Sequence, residues 1–260
     1  MTEKPLIYFM HIPKTAGMTM QTLARRHYKK PGELELIYTQ QANLDGFDDR
    51  QELEMVMGHF RFGYHRFSSR EPRYFAFLRE PISHVISHYQ YTFDRPEKFE
   101  FLPDVNNLLE FARCPYGYNL QTRFISGIEN IEGREKEVLQ KAKENLLRHV
   151  EVLGLTERFD ESLLMMRQPL NWNLVYYQKR NEGKARKKFK PSEAELDELR
   201  SIIRYDIELY EFGKQLFENQ VDKHPALKEK VRQFQTVNYW FWKLNPTYTR
   251  LKVALGLAKS

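Results

Sequence analysis

A lysine, two threonines and a glycine follow the first apolar run of the chain, and these residue types suit an anion. The run Leu6–Met10 is short and aromatic, which predicts a buried strand, and a helical pattern begins at Met18. A strand, a tight turn and a helix together aim several backbone N–H groups at one anion. Lys14 adds a mobile positive charge, and Thr15 and Thr19 add hydroxyl donors. The stretch therefore predicts a phosphate site.

A second anion site is predicted where the strand-like run 73–78 meets the next helix. Arg79 follows that run directly, Pro81 suits the first turn of a helix, and Ser87 lies about two turns further along. Binding sites in parallel sheets form at the carboxyl ends of the strands. Two phosphate sites in this position fit a nucleoside that carries a phosphate at each end.

The first loop is not a Walker A loop. That motif requires G-x-x-x-x-G-K-[ST], whereas Lys14 precedes Gly17, the only glycine of the stretch. No predicted strand ends in an obvious Walker B aspartate, so the Mg²⁺ environment of an ATPase lacks support. At this point a P-loop nucleotide kinase and a non-catalytic module that binds nucleotides or nucleic acid stay open as alternatives.

The composition is that of an ordinary globular protein with a basic balance. The 260 residues are 29% charged and 41% hydrophobic, the net charge is +6 and the isoelectric point is near 9.2. This balance favours anionic partners, although a merely basic surface explains it equally well. Cys114 is the only cysteine, which excludes an intramolecular disulfide and a cysteine-based zinc site. No apolar run suits a signal peptide or a membrane span, so we expect a soluble, cytoplasmic protein.

Strand and helix patterns alternate along the chain. Strands are predicted at 35–39, 56–60, 73–78, 150–155 and 174–177, and helices at 18–28, 82–93, 106–113, 118–126, 133–149 and 157–167. Ser192 and Glu195 have the spacing of a capping box and predict a further helix start, with one or two helices reaching residue 219. The alternation predicts an α/β fold whose central, mainly parallel sheet is flanked by helices.

We expect a single domain over residues 1–260. Its C-terminal part, at about 220–260, is predicted to be a helical, aromatic-rich extension, because four aromatic residues follow one another at 239–242. Such a cluster indicates a core or an interface more than a ligand site.

Two motifs in this sequence resemble those of sulfotransferases. Residues 11–19, HIPKTAGMT, look like the loop that binds the 5′-phosphosulfate, and 77–81 (FLREP) with 87–89 (SHY) look like the 3′-phosphate motif. The pattern is most similar to the heparan-sulfate 2-O/6-O and chondroitin-type carbohydrate sulfotransferases and their bacterial homologues. Further matching pieces lie at 58–60, 119–123, 152–157, 205–206 and 209–210. The resemblance spans about residues 6 to 217, and Met18 departs from it where relatives carry a small or hydroxyl residue.

The resemblance implies a three-layer, P-loop-like fold and a defined reaction. The donor is 3′-phosphoadenosine 5′-phosphosulfate, the product is adenosine 3′,5′-bisphosphate, and no metal is required. The acceptor is a hydroxyl group of a small molecule or glycan, and no nucleic acid partner is expected. The residues implied in binding the donor are Lys14, Thr15, Ala16, Gly17, Met18 and Thr19 at the 5′ end and Arg79 and Ser87 at the 3′ end.

The resemblance also suggests catalytic roles. His59 matches the family's histidine after a glycine and is our candidate for the base, because an ordinary histidine titrates near neutral pH. Lys14 is the candidate that stabilises charge on the leaving phosphate. His11 and His65 are the alternative bases and are also candidate substrate contacts.

For Gln121, Arg123 and one basic segment, the sequence allows either a ligand-binding role or a purely structural one. Gln121 and Arg123 either face the donor or acceptor or lie on a surface helix. The basic run 179–190 either closes over the adenine and 3′-phosphate, with Arg180 and Asn181 nearest, or is a solvated loop.

Overall fold

A computed structural model describes residues 4–38, 50–95, 105–173, 175–178 and 189–244. Its strands are β1 (Leu6–Met10), β2 (Leu34–Ile37), β3 (Met55–Gly58), β4 (Pro72–Leu78) and β5 (Val150–Leu155). They form one sheet in the order β2-β3-β1-β4-β5, and each neighbouring pair is parallel. Helices flank this sheet, so the predicted α/β, P-loop-like three-layer fold is confirmed.

The helices follow the predicted pattern closely. They are α1 (Gly17–His27), α2 (Pro81–Phe93), α3 (Leu108–Arg113), α4 (Leu120–Ser126), α5 (Glu135–Arg148), α6 (Phe159–Arg167), α7 (Glu193–Ile202), α8 (Arg204–Asp222) and α9 (Leu227–Leu244), with short 3₁₀ helices at Tyr64–Phe67 and Thr156–Arg158. The capping box at Ser192 and Glu195 is present in both directions. Such a box satisfies two N–H groups that the first turn of a helix leaves without acceptors.

β1 is the central strand, and its sequence explains why. All of its residues are buried and apolar or aromatic, as a strand with helices on both faces requires. β1 pairs with β3 on one side and β4 on the other, and Met10 lies opposite both Gly58 and Ala76. The carboxyl ends of these strands are therefore nearly level, so the residues that follow them meet at one edge of the sheet.

The starts of α4 and α8 hold each other in place. The side-chain oxygen of Asn119 accepts the N–H groups of Tyr205 at 3.1 Å and Asp206 at 3.0 Å. In return, the Asp206 carboxylate accepts the N–H groups of Gln121 at 3.2 Å and Thr122 at 2.8 Å, and the Thr122 hydroxyl at 2.7 Å. Asp206 is fully buried. Each side chain thus supplies the acceptor that the other helix's first turn lacks.

The strand predicted at 174–177 is wrong for the residues that the structure describes there. Residues 175–178 have no strand pairing. Instead, the N–H of Tyr177 donates to the side-chain oxygen of Asn238 at 2.8 Å, and the Asn238 amide donates to the carbonyl of Tyr177 at 3.0 Å. A side-chain amide on α9 therefore replaces the neighbouring strand that the apolar pattern suggested.

Residues Leu227–Leu244 of the aromatic-rich part of the chain form α9. Tyr239 and Trp240 are 58% and 47% exposed, so neither belongs to the core. In the described part of the chain, no helix combines the length and the apolar character needed to cross a membrane.

We predict that Asp206→Ala destabilises the fold by about 3 kcal/mol, because several buried donors lose their acceptor at once. Urea denaturation followed by circular dichroism measures the loss. Asp222→Ala, at the exposed end of the same helix, is the matched control and should change stability by less than about 0.5 kcal/mol. Equal effects of the two substitutions would contradict the role of Asp206.

Candidate active site

The loop between β1 and α1 is tightly wound. Lys14 and Ala16 adopt left-handed backbone conformations, with φ of 67° and 64°. The Thr15 side chain is buried, and its hydroxyl donates to the carbonyl of Ile12 at 2.8 Å. The predicted hydroxyl donor of Thr15 is thus already used within the loop, which leaves Thr15 a role in shaping the turn.

The N-terminus of α1 points out of this loop. The first N–H groups of a helix have no acceptor inside it, and here they belong to Gly17 and Met18. The Met18 side chain is exposed, so the departure from the family pattern leaves its backbone N–H in place. A Cβ atom on Gly17 would lie 1.8 Å from the ring of His11. Glycine is therefore required because the imidazole occupies that space.

Arg79, at the end of β4, is bound to this loop and to α4. Its Nη1 donates to the carbonyl of Lys14 at 3.0 Å. Its backbone N–H donates to the side-chain oxygen of Gln121 at 2.9 Å, and the Gln121 amide donates to the Arg79 carbonyl at 2.9 Å. The two predicted anion-binding segments are therefore in direct contact.

The turn after Arg79 is fixed from the β5 side as well. The Glu157 carboxylate accepts the N–H of Glu80 at 3.0 Å and the hydroxyl of Tyr210 at 3.1 Å. Glu80 in turn accepts the N–H groups of Ile82 and Ser83 at the start of α2. These bonds orient α2 relative to β4.

Positive charge accumulates around Lys14. Its ammonium lies 4.2 Å from the ring centre of Tyr91, and the Arg95 guanidinium lies 4.3 Å from the same ring. Burial, followed by the charges of Arg79 and Arg95, lowers the pKa of Lys14 to about 8. Burial also lowers the pKa of Arg79. Cations crowded in this way gain stability when a multiply charged anion binds among them.

One face of α2 lines the site. Nε2 of His84 donates to the carbonyl of Pro13 at 2.8 Å, and the ring centres of His84 and His88 are 6.2 Å apart. Burial is the main cause that lowers the pKa of His84 to about 4 and of His88 to about 3. Ser87, half-buried, lies between them in the chain. The predicted phosphate contact of Ser87 stays a prediction.

His59 lies against the loop at the end of β3. Its Nδ1 donates to the carbonyl of His11 at 2.9 Å, and the two rings stack with centres 4.4 Å apart. Because the carbonyl accepts the Nδ1 proton, the lone pair of the neutral ring is on Nε2. Burial lowers the pKa of His59, so the neutral form dominates at neutral pH.

Glycine is required at position 58, directly before His59, for a steric reason. A Cβ atom on Gly58 would lie 1.9 Å from the carbonyl oxygen of Ile37 on β2. The N–H of His59 itself donates to that carbonyl at 2.8 Å. The close approach of β2 and β3 thus requires glycine and places the histidine at the same edge as Lys14.

His65 is not brought to this edge. Its N–H and its Nδ1 contact the hydroxyl of Tyr74 at 3.0 and 2.9 Å. Tyr74 lies four residues before Leu78, the end of β4, which corresponds to about 13 Å along the strand. The other alternative base, His11, does lie at the edge, but burial, followed by the charges of His59 and Lys14, lowers its pKa to about 3.

Gln121 and Arg123 have partners inside the protein. Gln121 is buried and binds the backbone of Arg79. The Arg123 guanidinium is buried too; it donates to the carbonyls of Glu129 and Pro115 and pairs with the Glu129 carboxylate. Direct contacts of these residues with donor or acceptor stay predictions. Arg180 and Asn181 lie outside the described residues.

Several residues of the site were not predicted from the sequence. They are His84, His88, Tyr91, Arg95 and Glu157. His84, His88 and Tyr91 recur, with Ser87, at spacings of three or four residues, which places them on one face of α2, and Arg95 follows two residues after the helix ends. That periodicity was visible in the sequence, whereas the contact of Glu157 with the turn after β4 depends on strand order.

The comparisons with known proteins come from sequence. No protein-family model matches the chain. The chain is similar to heparan-sulfate 6-O-sulfotransferase 2 of Homo sapiens, with 26% identity over 204 residues, and to the protein of that name from Mus musculus at the same identity. The similarity covers 64% of this chain and only 32% of the length of each relative.

We predict that acid destabilises the protein through its buried histidines. The pKa values of His11, His84 and His88 are about 3, 4 and 3 in the folded state, against 6.5 for an unperturbed histidine. The unfolded chain therefore binds more protons below pH 6.5, and stability falls as the pH drops toward 4. Each ring contributes about 1.4 kcal/mol per pH unit.

Urea denaturation at pH 5, 6 and 7 tests this. In His88→Gln the slope of stability against pH should decrease by about 1 kcal/mol per unit on average over this range, because the unfolded ring is only partly protonated near its pKa. The comparison variant is His224→Gln, a histidine substitution at an exposed position. An unaltered slope in His88→Gln would show that the folded protein does not hold this ring neutral.

Proposed function

We propose that this chain is a sulfotransferase that takes the sulfuryl group from 3′-phosphoadenosine 5′-phosphosulfate and transfers it to a hydroxyl group. The observation that carries the proposal is the bond between the Arg79 guanidinium and the Lys14 carbonyl. It joins the two segments predicted to bind anions at one edge of the sheet, and this supports a ligand that is phosphorylated at both ends. The similarity to heparan-sulfate 6-O-sulfotransferase 2 supports the same class of reaction.

The residues present fit this donor. Backbone N–H groups of Gly17 and Met18, at the start of α1, suit the 5′-phosphate, with Lys14 beside them. Arg79 and Ser87 suit the 3′-phosphate, the former by a charged, forked contact. Burial, followed by the charges of Arg79 and Arg95, lowers the pKa of Lys14. A negatively charged ligand would offset this repulsion between cations, which supports an anion as the ligand. When bound, the donor supplies the sulfuryl group.

His59 acts as the general base, and Lys14 stabilises the leaving group. Nε2 of His59 takes the proton of the acceptor hydroxyl as the hydroxyl oxygen forms its bond to sulfur. The bond between sulfur and the phosphate oxygen breaks at the same time, and the ammonium of Lys14 stabilises the charge left on that oxygen. The proton thus ends on His59 and the electron pair on the departing bisphosphate. The His11 carbonyl keeps His59 in the required tautomer.

We further propose that the acceptor is a carbohydrate or glycoconjugate. The support is the printed name of the relatives, which refers to heparan sulfate. Since the chain matches 32% of the length of each relative, the whole activity of those proteins does not transfer with the match. Mass spectrometry of sulfated products from a panel of glycans and small hydroxyl compounds identifies the acceptor.

Ligand-induced stabilisation separates this proposal from the two alternatives. We predict that adenosine 3′,5′-bisphosphate at about 100 times its dissociation constant stabilises the protein by about 2.7 kcal/mol. A thermal-shift assay compares it with ATP and Mg²⁺. Stabilisation by ATP and Mg²⁺ alone would favour a P-loop kinase, and bisphosphate binding without any sulfate transfer would favour a non-catalytic module.

We predict that His59→Ala slows transfer by about 10²–10⁴-fold, because the general base is lost. Its affinity for the bisphosphate, measured by isothermal titration calorimetry, should change little. Lys14→Met should weaken bisphosphate binding by about 10–100-fold, the loss expected for one hydrogen bond to a charged group. His224→Ala, at an exposed position, is the control. Full activity in His59→Ala would assign the base to another residue.

We also predict that bisphosphate affinity falls as the pH rises through about 8, the pKa of Lys14 in the free protein. Bound phosphate favours the charged ammonium, so binding takes up a proton above that pH. Calorimetry at pH 7, 8 and 9 measures the change. The dependence should be absent in Lys14→Met, and its persistence in that variant would mean that another group titrates.

A further inference from the structure

The excess of positive over negative residues in this chain lies in one stretch. Residues 230–260 contain six of the 41 lysines and arginines and none of the 35 aspartates and glutamates. The preceding 229 residues therefore hold 35 of each sign and have no net charge. The whole net charge of +6 thus belongs to α9 and the residues after it, and not to the proposed active site.

One face of α9 is fixed to the rest of the protein. Leu227 and Phe234 are buried, and the Phe234 ring stacks on Tyr176 with centres 5.7 Å apart. Further along, Asn238 makes its paired hydrogen bonds to the backbone of Tyr177. The orientation of the helix about its own axis is therefore set by contacts on this face.

The opposite face presents aromatic and cationic side chains together. Tyr239 and Trp240, here called the aromatic patch, are 58% and 47% exposed. Lys243 lies 5.4 Å from the ring centre of Tyr239 and 4.9 Å from that of Trp240. Arg232, also exposed, is seven residues before Tyr239 and so lies on the same side of the helix.

We propose that this face of α9 binds the surface of an anionic lipid membrane. Tryptophan and tyrosine favour the boundary between water and lipid, since one part of each ring is apolar and another is polar. Lysines and arginines beside them are attracted to anionic headgroups. A polyanion in water would need the cations alone, and the exposed rings of Tyr239 and Trp240 would then have no function. A lipid surface accounts for both kinds of side chain.

The test uses the full chain with vesicles of phosphatidylcholine, alone or with roughly a third of phosphatidylserine. We expect co-sedimentation with the anionic vesicles and not with the neutral ones. We also expect that lipids brominated in their acyl chains quench tryptophan emission, since Trp240 is exposed on this face while Trp172 is buried. The quenching needs no substitution, so it does not depend on whether a variant folds.

Two pairs of variants test the residues. Arg232→Gln with Lys243→Gln should weaken binding to anionic vesicles by about 25-fold, whereas Lys141→Gln with Arg148→Gln, the same charge change on the exposed side of α5, should not. Tyr239→Ser with Trp240→Ser should weaken it by at least about 10-fold, whereas Leu147→Ser, 63% exposed on α5, should not.

Three results would overturn the proposal. The first is binding to neither type of vesicle. The second is capture by heparin without binding to vesicles, which would make the face a polyanion site. The third concerns quenching of tryptophan emission by acrylamide in the absence of lipid. If the emission is shielded in the full chain but becomes accessible after removal of residues 245–260, that segment covers the patch. The proposal does not depend on the sulfotransferase function, because vesicle binding is measured without donor or acceptor.

Discussion

The geometry of the site depends on the bonds that join the ends of β1 and β4. Arg79 donates through its side chain to the carbonyl of Lys14, while its own N–H and carbonyl are both held by the Gln121 amide. Gln121 is in turn fixed by Asp206, which caps α4 from α8. A buried carboxylate on a distant helix thus determines where the arginine and the anion-binding loop lie relative to one another. The requirement is strict because a charged group at a shared site must be positioned before the ligand arrives.

This arrangement explains why so many histidines surround one lysine. Lys14, Arg79 and Arg95 already bring like charges together, and further cations would weaken the site before an anion binds. His11, His84 and His88 supply ring volume around the loop, and His84 also donates to the carbonyl of Pro13, while burial keeps their pKa values far below neutral pH. They are polar groups that add no charge near pH 7. Burial likewise lowers the pKa of His59, so this ring adds no further positive charge beside Lys14 near pH 7.

The sequence alone predicted the fold, because strand and helix patterns are local. Apolar runs predicted the strands of the sheet, and the loop at Lys14 followed from strand, turn and helix. Contacts between segments that are distant in the chain could not be predicted in this way. Gln121 was expected to face a ligand or lie on a surface, yet it binds the backbone of Arg79. The apolar run at 174–177 suggested a strand, but Asn238 provides the hydrogen bonds there, and no local signal distinguishes those two partners.

The charge of the chain needed the structure before it could be interpreted. A net charge of +6 favours anionic partners in general but is explained equally well by a merely basic surface. The active-site cations are in fact balanced by acids elsewhere in residues 1–229, so their effect comes from local crowding and burial and not from net charge. The excess lies on and after α9, whose inner face packs on Tyr176 and Tyr177. Two kinds of positive charge therefore coexist. One is buried and crowded around Lys14, and the other lies on an exposed surface, where it acts through a longer-range, salt-screened field.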